Sequence, residues 1–243
     1  LIKENLNRKY KVFIDFDGTI TRTDVGEALF IEFGDAARAR EIVDMYLKDE
    51  ISSKQTWVLL CESINDFDEK SFEEFLQTIE IDEYFKNFIS FCEENEIETF
   101  ILSDGLDYYI DKILKRENLN RLKLYSNKLK IENGKFYPSF PYTDEECSEC
   151  ANCKRNHIIT NSSEEDITIY IGDGWSDKCP AKFCDFIFAK DSLLKYCEKN
   201  RISYYPYRNF REVQVRITEL LKKKRIRKRR QAELNRKAVY IQG

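Results

Sequence analysis

Apolar residues along the chain fall into two periodicities. Short continuous runs occur at Lys11–Phe16 (KVFIDF), Glu98–Leu102 (ETFIL), Ile167–Gly172 (ITIYIG), Asp185–Ala189 (DFIFA) and Ser203–Tyr207. Runs of this length, rich in β-branched and aromatic residues, predict buried strands. Residues 25–80 instead carry spaced apolar positions, little Gly and no Pro, and predict four successive amphipathic helices. Ser52-Ser53 and Ser71 are the expected N-caps there. A further helix is expected over residues 82–95, where Phe85, Phe88, Ile89 and Cys92 follow i, i+3, i+4, i+7. Another is expected over Leu106–Arg116, and a closing one over residues 209–224 with Val213, Ile217, Leu220 and Leu221 on its apolar side. Residues 122–137 alternate apolar and polar around Glu-Asn-Gly, which predicts a β-hairpin. No internal repeat is present.

Strands alternating with helices predict an α/β fold: a Rossmann-like, mainly parallel sheet with helices on both faces and an inserted helical cap. The expected division is a core of residues 1–22 and 82–221, a cap of residues 23–81, and a basic C-terminal extension of residues 222–243. Such sheets bind ligands at the carboxyl ends of their strands. Three strand ends here carry polar clusters: Asp15 and Asp17, Ser103 to Gly105, and Asp173.

DFDGT, residues 15–19, directly follows Val12-Phe13-Ile14. Alternate side chains of an extended strand share a face, so Asp15 and Asp17 are expected to point the same way before Gly18 and Thr19 turn the chain. Paired carboxylates in this position suit a divalent metal, a nucleophile beside an acid/base, or a solvated acidic turn.

Length and composition narrow the class. With 243 residues, 42% hydrophobic and 14% aromatic, the chain can bury a substantial core. The net charge of −4 hides an asymmetry. Of 40 basic and 44 acidic residues, positions 222–243 take ten and one, which leaves 30 and 43 in the body, a net of −13. An acidic body disfavours nucleic acid as partner of the folded domain but leaves room for a small phosphorylated ligand whose charge a bound metal offsets. No apolar run reaches the length of a membrane span. The opening LIKENLNRKYK lacks the apolar core of a signal peptide, and eight cysteines without one point to thiols in the cytoplasm.

Four motifs in order resemble those of the haloacid dehalogenase superfamily of phosphohydrolases, in its phosphoserine phosphatase-like branch (subfamily IB). DFDGT matches the first, Ser103 the second, Lys154 in NCKRNHI the third, and GDGWSD at 172–177, with Asp173 and Asp177, the fourth. The resemblance spans roughly residues 10–210 and implies a Mg²⁺-dependent phosphomonoesterase. Asp15 would be the nucleophile that forms an aspartyl-phosphate, and Asp17 the acid that protonates the leaving oxygen and then activates water. Asp15, the Asp17 carbonyl and Asp173 would hold Mg²⁺. Ser103 and the backbone N–H groups of Asp104 and Gly105 would grip phosphate, Lys154 would supply positive charge, and Asp177 would orient Lys154 or a metal-bound water. The expected substrate is a small phosphorylated metabolite. DFDGTIT-x-x-D and the Cys-Lys pair resemble most the methionine-salvage type, which acts on 2-hydroxy-3-keto-5-methylthiopentenyl-1-phosphate. Phosphoserine, phosphoethanolamine and phosphocholine phosphatases are alternatives, as is a phospholigand-binding regulator without turnover. Asp24 stands where phosphoserine phosphatases often carry an acid that meets the substrate amine. Arg38 and Arg40 are the cap arginines available for a substrate carboxylate. Trp175 departs from the small or aliphatic residue expected in the fourth motif.

Cys147, Cys150 and Cys153 with His157, the single histidine, could form a structural Cys₃His zinc site, or remain thiols in a loop. Cys61, Cys92, Cys179, Cys184 and Cys197 are expected in the core. The basic tail is expected as a solvated helix or disordered end, with an anionic partner as the alternative. The sequence does not give an oligomeric state.

Overall fold

The computed structural model describes residues 9–64, 67–147 and 149–242. The opening stretch read at residues 1–8 lies outside them. Seven strands form one mainly parallel sheet: β1 (Tyr10–Ile14), β2 (Glu98–Leu106), β3 (Lys123–Glu132), β4 (Lys135–Ser139), β5 (Ile167–Gly172), β6 (Phe186–Ala189) and β7 (Tyr205–Pro206), in the order β4-β3-β2-β1-β5-β6-β7. Strand β1 is central and parallel to both neighbours, with Ile14 opposite Ile101 and Ile171. Its residues 12–14 and all of β5 are buried, which is why both read as unbroken apolar runs. β3 and β4 form the expected antiparallel hairpin. Its turn residues Asn133 and Gly134 have φ of 50° and 73°, the left-handed pair that matches strand twist.

The helices are α1 (Val25–Phe33), α2 (Ala36–Leu47), α3 (Ser53–Glu62), α4 (Glu69–Thr78), α5 (Phe85–Glu94), α6 (Asp107–Arg116), α7 (Lys154–Thr160), α8 (Asp191–Lys199), α9 (Phe210–Leu221) and α10 (Arg230–Gln242). Ser52 caps α3 in a capping box with Gln55, as expected. Ser71 is not a cap. Asp68 caps α4 and accepts the Ser71 backbone N–H, because a carboxylate three residues upstream reaches the N3 donor that a serine inside the helix cannot.

The chain divides into two compact units. One comprises Leu1–Asp15, Asp82–Ile101 and Lys154–Gly243. It holds β1, β5, β6 and β7, and packs α5 on α9 through Phe85, Phe88 and Phe210, whose rings lie about 5 Å apart. The other comprises Phe16–Ile81 and Leu102–Cys153. It holds α1–α4, α6 and the hairpin, cemented by edge-on contacts of Phe67 with Phe136 (4.9 Å) and of Phe33 with Phe72 (5.7 Å).

The basic tail is neither disordered nor wholly solvated: α10 belongs to the first unit and buries Ala232 and Arg236. The Arg236 guanidinium donates to Asp185 Oδ1 (3.1 Å), Thr168 Oγ1 (3.1 Å) and the Phe183 carbonyl. Among the cysteines expected in the core, Cys61, Cys92, Cys184 and Cys197 are buried, and Cys179 is half-buried. Among the described residues no helix is long and apolar enough to cross a membrane.

Candidate active site

In the first unit, β1 delivers Asp15 to the carboxyl end of the sheet, where its backbone N–H bonds the Ile171 carbonyl of β5 (2.9 Å). One residue beyond the end of β5 stands Asp173, and a 3₁₀ turn over Trp175–Asp177 swings Asp177 back beneath the strand. Gly172 makes this possible. A Cβ there would lie 2.3 Å from Asp177 Oδ2. Carboxylate oxygens of Asp15, Asp173 and Asp177 all lie within 4.8 Å of one another. Lys154 opens α7, is buried, and places its ammonium 2.5 Å from Asp15 Oδ1, 2.7 Å from Asp177 Oδ1 and 3.0 Å from Ser176 Oγ.

Asp177 has no lone pair to spare: Oδ1 also accepts from the Tyr170 hydroxyl (2.5 Å), and Oδ2 from the backbone N–H groups of Asp173 and Gly174 (2.9 Å each). Burial opposes the Lys154 charge, but Asp15 and Asp177 outweigh it and hold the ammonium protonated beyond the ordinary lysine range. Burial and the charges of Asp177 and Asp173 push the Asp15 carboxyl up, and Lys154 opposes them only in part. Three carboxylates facing one ammonium leave an excess of negative charge in a buried place, the donor set a hard divalent cation needs. With Asp177 saturated, Asp15 and Asp173 are the side chains that could hold such a cation.

The second unit carries Asp17, and Gly18, with φ of 72°, turns the chain immediately after it. Asp17 Oδ1 accepts from the Val25 N–H at the start of α1 (3.1 Å). Asp17 Oδ2 accepts from Tyr109 Oη (2.8 Å) and from Ser103 Oγ (3.2 Å). Burial, then the nearby Asp24 charge, raise Asp17 to about 7, against the pull of Tyr109, Val25 and Ser103. Ser103 in turn accepts the Gly105 N–H (2.9 Å), so two of the groups read as a phosphate grip are engaged with each other. β2 does not stop at Ser103. It runs on to Leu106 and passes directly into α6.

Asp104 is tied down as well. Its carboxylate accepts from Ser53 Oγ and the Asn152 N–H (2.9 Å), and its carbonyl from Asn127 Nδ2 (2.6 Å). Asp24 is the N-cap of α1, with Oδ1 on the Glu27 N–H (2.8 Å). Arg38 pairs with Glu41 and Arg40 reaches the Ala36 carbonyl, both within exposed α2.

The cysteine cluster is corrected by the structure. Cys147 Sγ and Cys150 Sγ lie 3.9 Å apart. Among the described residues no group of three His, Cys, Asp or Glu ligand atoms gathers within 4.8 Å except the aspartate trio. Cys153 instead turns into the core, its backbone N–H on the Tyr142 carbonyl (2.8 Å), and His157 is buried on α7. Cys147, Cys150, Cys153 and His157 therefore do not form a tetrahedral zinc site. Sequence reasoning missed Tyr109, Tyr170 and Asn152. Both tyrosines lie in apolar runs, where an aromatic residue reads as core.

The Putative Phosphatase family model matches residues 10–206. The chain belongs to this phosphatase family. Its relatives include 2-hydroxy-3-keto-5-methylthiopentenyl-1-phosphate phosphatases of Bacillus mycoides (strain KBAB4), 34% identical over 221 residues, and of Bacillus thuringiensis (strain Al Hakam), 32% identical over 217 residues. Each match covers 88% of this chain and 98% of the relative. Among solved structures, the chain is similar in fold to a phospho-aspartyl intermediate analogue of phosphoserine phosphatase. That match has a TM-score of 0.66 and 17% identity, and covers 86% of this chain and 99% of the other.

Proposed function

We propose that the protein is a Mg²⁺-dependent phosphomonoesterase that works through an aspartyl-phosphate on Asp15 and acts in the cytoplasm on a small phosphorylated metabolite. The observation that carries this reading is the convergence of Asp15, Asp173 and Asp177 around the end of β1 with buried Lys154 bonded to Asp15. Asp15 and Asp173, with the Asp17 carbonyl, would hold Mg²⁺, which supplies charge neutralisation between carboxylate nucleophile and phosphate.

Asp15 attacks phosphorus, and Asp17 gives its proton to the departing alcohol oxygen. Asp17 then takes a proton from the water that opens the acyl phosphate. A carboxyl raised to about 7 is suited to both roles near neutrality. Lys154, fixed by Asp177 and Ser176, offsets charge on the transferring phosphoryl. We propose the Asp104 N–H as the phosphate grip at this strand end, with Ser103 and the Gly105 N–H, which are engaged with Asp17 and with each other, holding the segment beside it. Residues 23–81 are the proposed cap.

For the leaving group we favour the methionine-salvage ester named for the relatives. The relatives that carry this name, 32–34% identical over 98% of their length, support this choice over phosphoserine. The test is a phosphate-release screen over 2-hydroxy-3-keto-5-methylthiopentenyl-1-phosphate, phosphoserine, phosphoethanolamine and phosphocholine, with and without Mg²⁺. Release from the first, dependent on Mg²⁺ and lost in Asp15→Asn, is expected. Wild-type turnover by Asp15→Asn would refute the covalent route. Mg²⁺ binding with no release from any ester would replace it with a regulator.

A further inference from the structure

Asp17 is held in the second unit by a bond that no sequence motif announces. Tyr109 lies in the first turn of α6 and is 1% exposed. Its hydroxyl donates to Asp17 Oδ2 at 2.8 Å, beside the 3.2 Å bond from Ser103. The room for that hydroxyl is made by Gly105. A Cβ at residue 105 would stand 1.9 Å from Tyr109 Oη and 2.7 Å from Asp17 Oδ2. The Phe16 ring, 6.4 Å from the Tyr109 ring, packs against it next to Asp17 in the chain. A glycine in the strand, a buried tyrosine one turn into the helix and a carboxylate thus form one fitted contact.

A carboxylate oxygen has two lone pairs. Tyr109 and Ser103 fill both on Oδ2, while Val25 fills one on Oδ1. One acceptor position remains, on Oδ1. We infer that Tyr109 is a positioning residue that turns Asp17 so that Oδ1 alone exchanges the proton with the leaving-group oxygen. This rests on the reading of Asp17 as general acid and base. In the first half-reaction the Asp15–phosphorus bond forms and the bond from phosphorus to the alcohol oxygen breaks. The alcohol oxygen takes the proton from Oδ1. In the second, Oδ1 takes a proton from water as the water oxygen bonds phosphorus and the Asp15–phosphorus bond breaks, releasing orthophosphate. Without the Tyr109 hydroxyl the carboxyl can rotate, and Oδ1 loses its fixed aim.

The experiment compares Tyr109→Phe with wild type on two esters in Mg²⁺. One is the best alkyl ester of the substrate screen, whose alkoxide leaves only with a proton. The other is p-nitrophenyl phosphate, whose phenolate leaves without one. Tyr109→Phe should lower kcat/KM on the alkyl ester about ten- to a hundred-fold and change kcat/KM on the aryl ester less than about three-fold, because kcat/KM ends at departure of the alcohol and leaves out the hydrolysis of the aspartyl-phosphate that both esters share. The ratio of the two kcat/KM values is independent of the fraction of variant that folds, so lost stability cannot imitate the effect. Equal loss on both esters, or no loss, overturns the role of Tyr109. Asp17→Asn separates the two readings. If it keeps wild-type alkyl-ester turnover, the general-acid reading falls and Tyr109 with it. If it is inactive while Tyr109→Phe is unchanged, only the positioning role falls.

Discussion

Arg236 is the place where the basic tail can be weighed. Its side chain is 4% exposed, and that of Asp185, its partner at 3.1 Å, is 0% exposed. Arg236→Met would leave a buried carboxylate without its cation, a change that costs about 3–5 kcal/mol in folded proteins. Asp185 Oδ2 would still accept from the Thr168 N–H (3.0 Å) and Oγ1 (2.9 Å), which places the cost near the lower end of that range. Losing the donor to the Phe183 carbonyl adds about 1 kcal/mol. The expected total of about 4 kcal/mol corresponds to a fall in melting temperature of roughly 8–16 °C for a chain of this size.

Thermal and urea unfolding followed by circular dichroism would measure it. Arg236→Lys should fall between, because an ammonium keeps the charge but not the planar fork. The double variant Arg236→Met with Asp185→Asn should lose less than the sum of the single changes. A surface pair made by the same helix, Lys237 of α10 with Glu164 ahead of β5 at 3.8 Å and both more than half exposed, supplies the contrast, and Lys237→Ala should shift stability by less than about 0.5 kcal/mol. If Arg236→Met unfolds within about 1 kcal/mol of wild type, α10 is an ornament and the argument from burial is wrong.

Two further outcomes follow from the first unit. Lys154→Met should reduce phosphate release about 10²–10³-fold, as expected for removal of a buried cation held against the nucleophile, and a loss under about five-fold would refute that assignment. His157, which burial pushes down to about 4, is neutral in the folded chain, while the unfolded chain takes up its proton near 6.5. The folded state therefore binds fewer protons between these values. Its stability holds above pH 6.5 and drops by up to about 3 kcal/mol as pH falls to 4. His157→Gln should flatten that part of the stability profile measured in urea.

Much of this architecture is legible in the sequence because it rests on local pattern. The runs of β1 and β5 are buried on both faces, so apolar residues dominate them, and Thr168 is admitted because Asp185 bonds its hydroxyl. The four motifs lie at strand ends or helix starts, where spacing along the chain fixes direction. What escaped detection depends on distant partners. Lys154 reads as part of an irregular loop, yet it begins α7, whose seven residues are too short to show a period. α8 is masked by its polar first turn. The tail reads as solvated since ten of its residues are basic, and nothing local reveals that Arg236 meets a carboxylate 51 positions earlier. Tyr109 and Tyr170 read as core and are core. Their hydroxyls matter because each ends on an aspartate brought there by another strand.

The position of β1 has a consequence for how the protein is made. The strand that ends just before Asp15 is made before its partners Glu98–Ile101 and Ile167–Ile171, which follow 87 and 157 residues later. At about 5–20 residues per second, the second partner arrives roughly 8–30 s after the first strand. Through that interval Val12, Phe13 and Ile14 have no sheet to enter on one side and form an adhesive edge. A nascent chain arrested before residue 167 should stay sensitive to protease around Val12–Ile14 and should depend on a chaperone that shields short apolar strands. The central strand of the finished protein is in this sense the one that waits longest in the open.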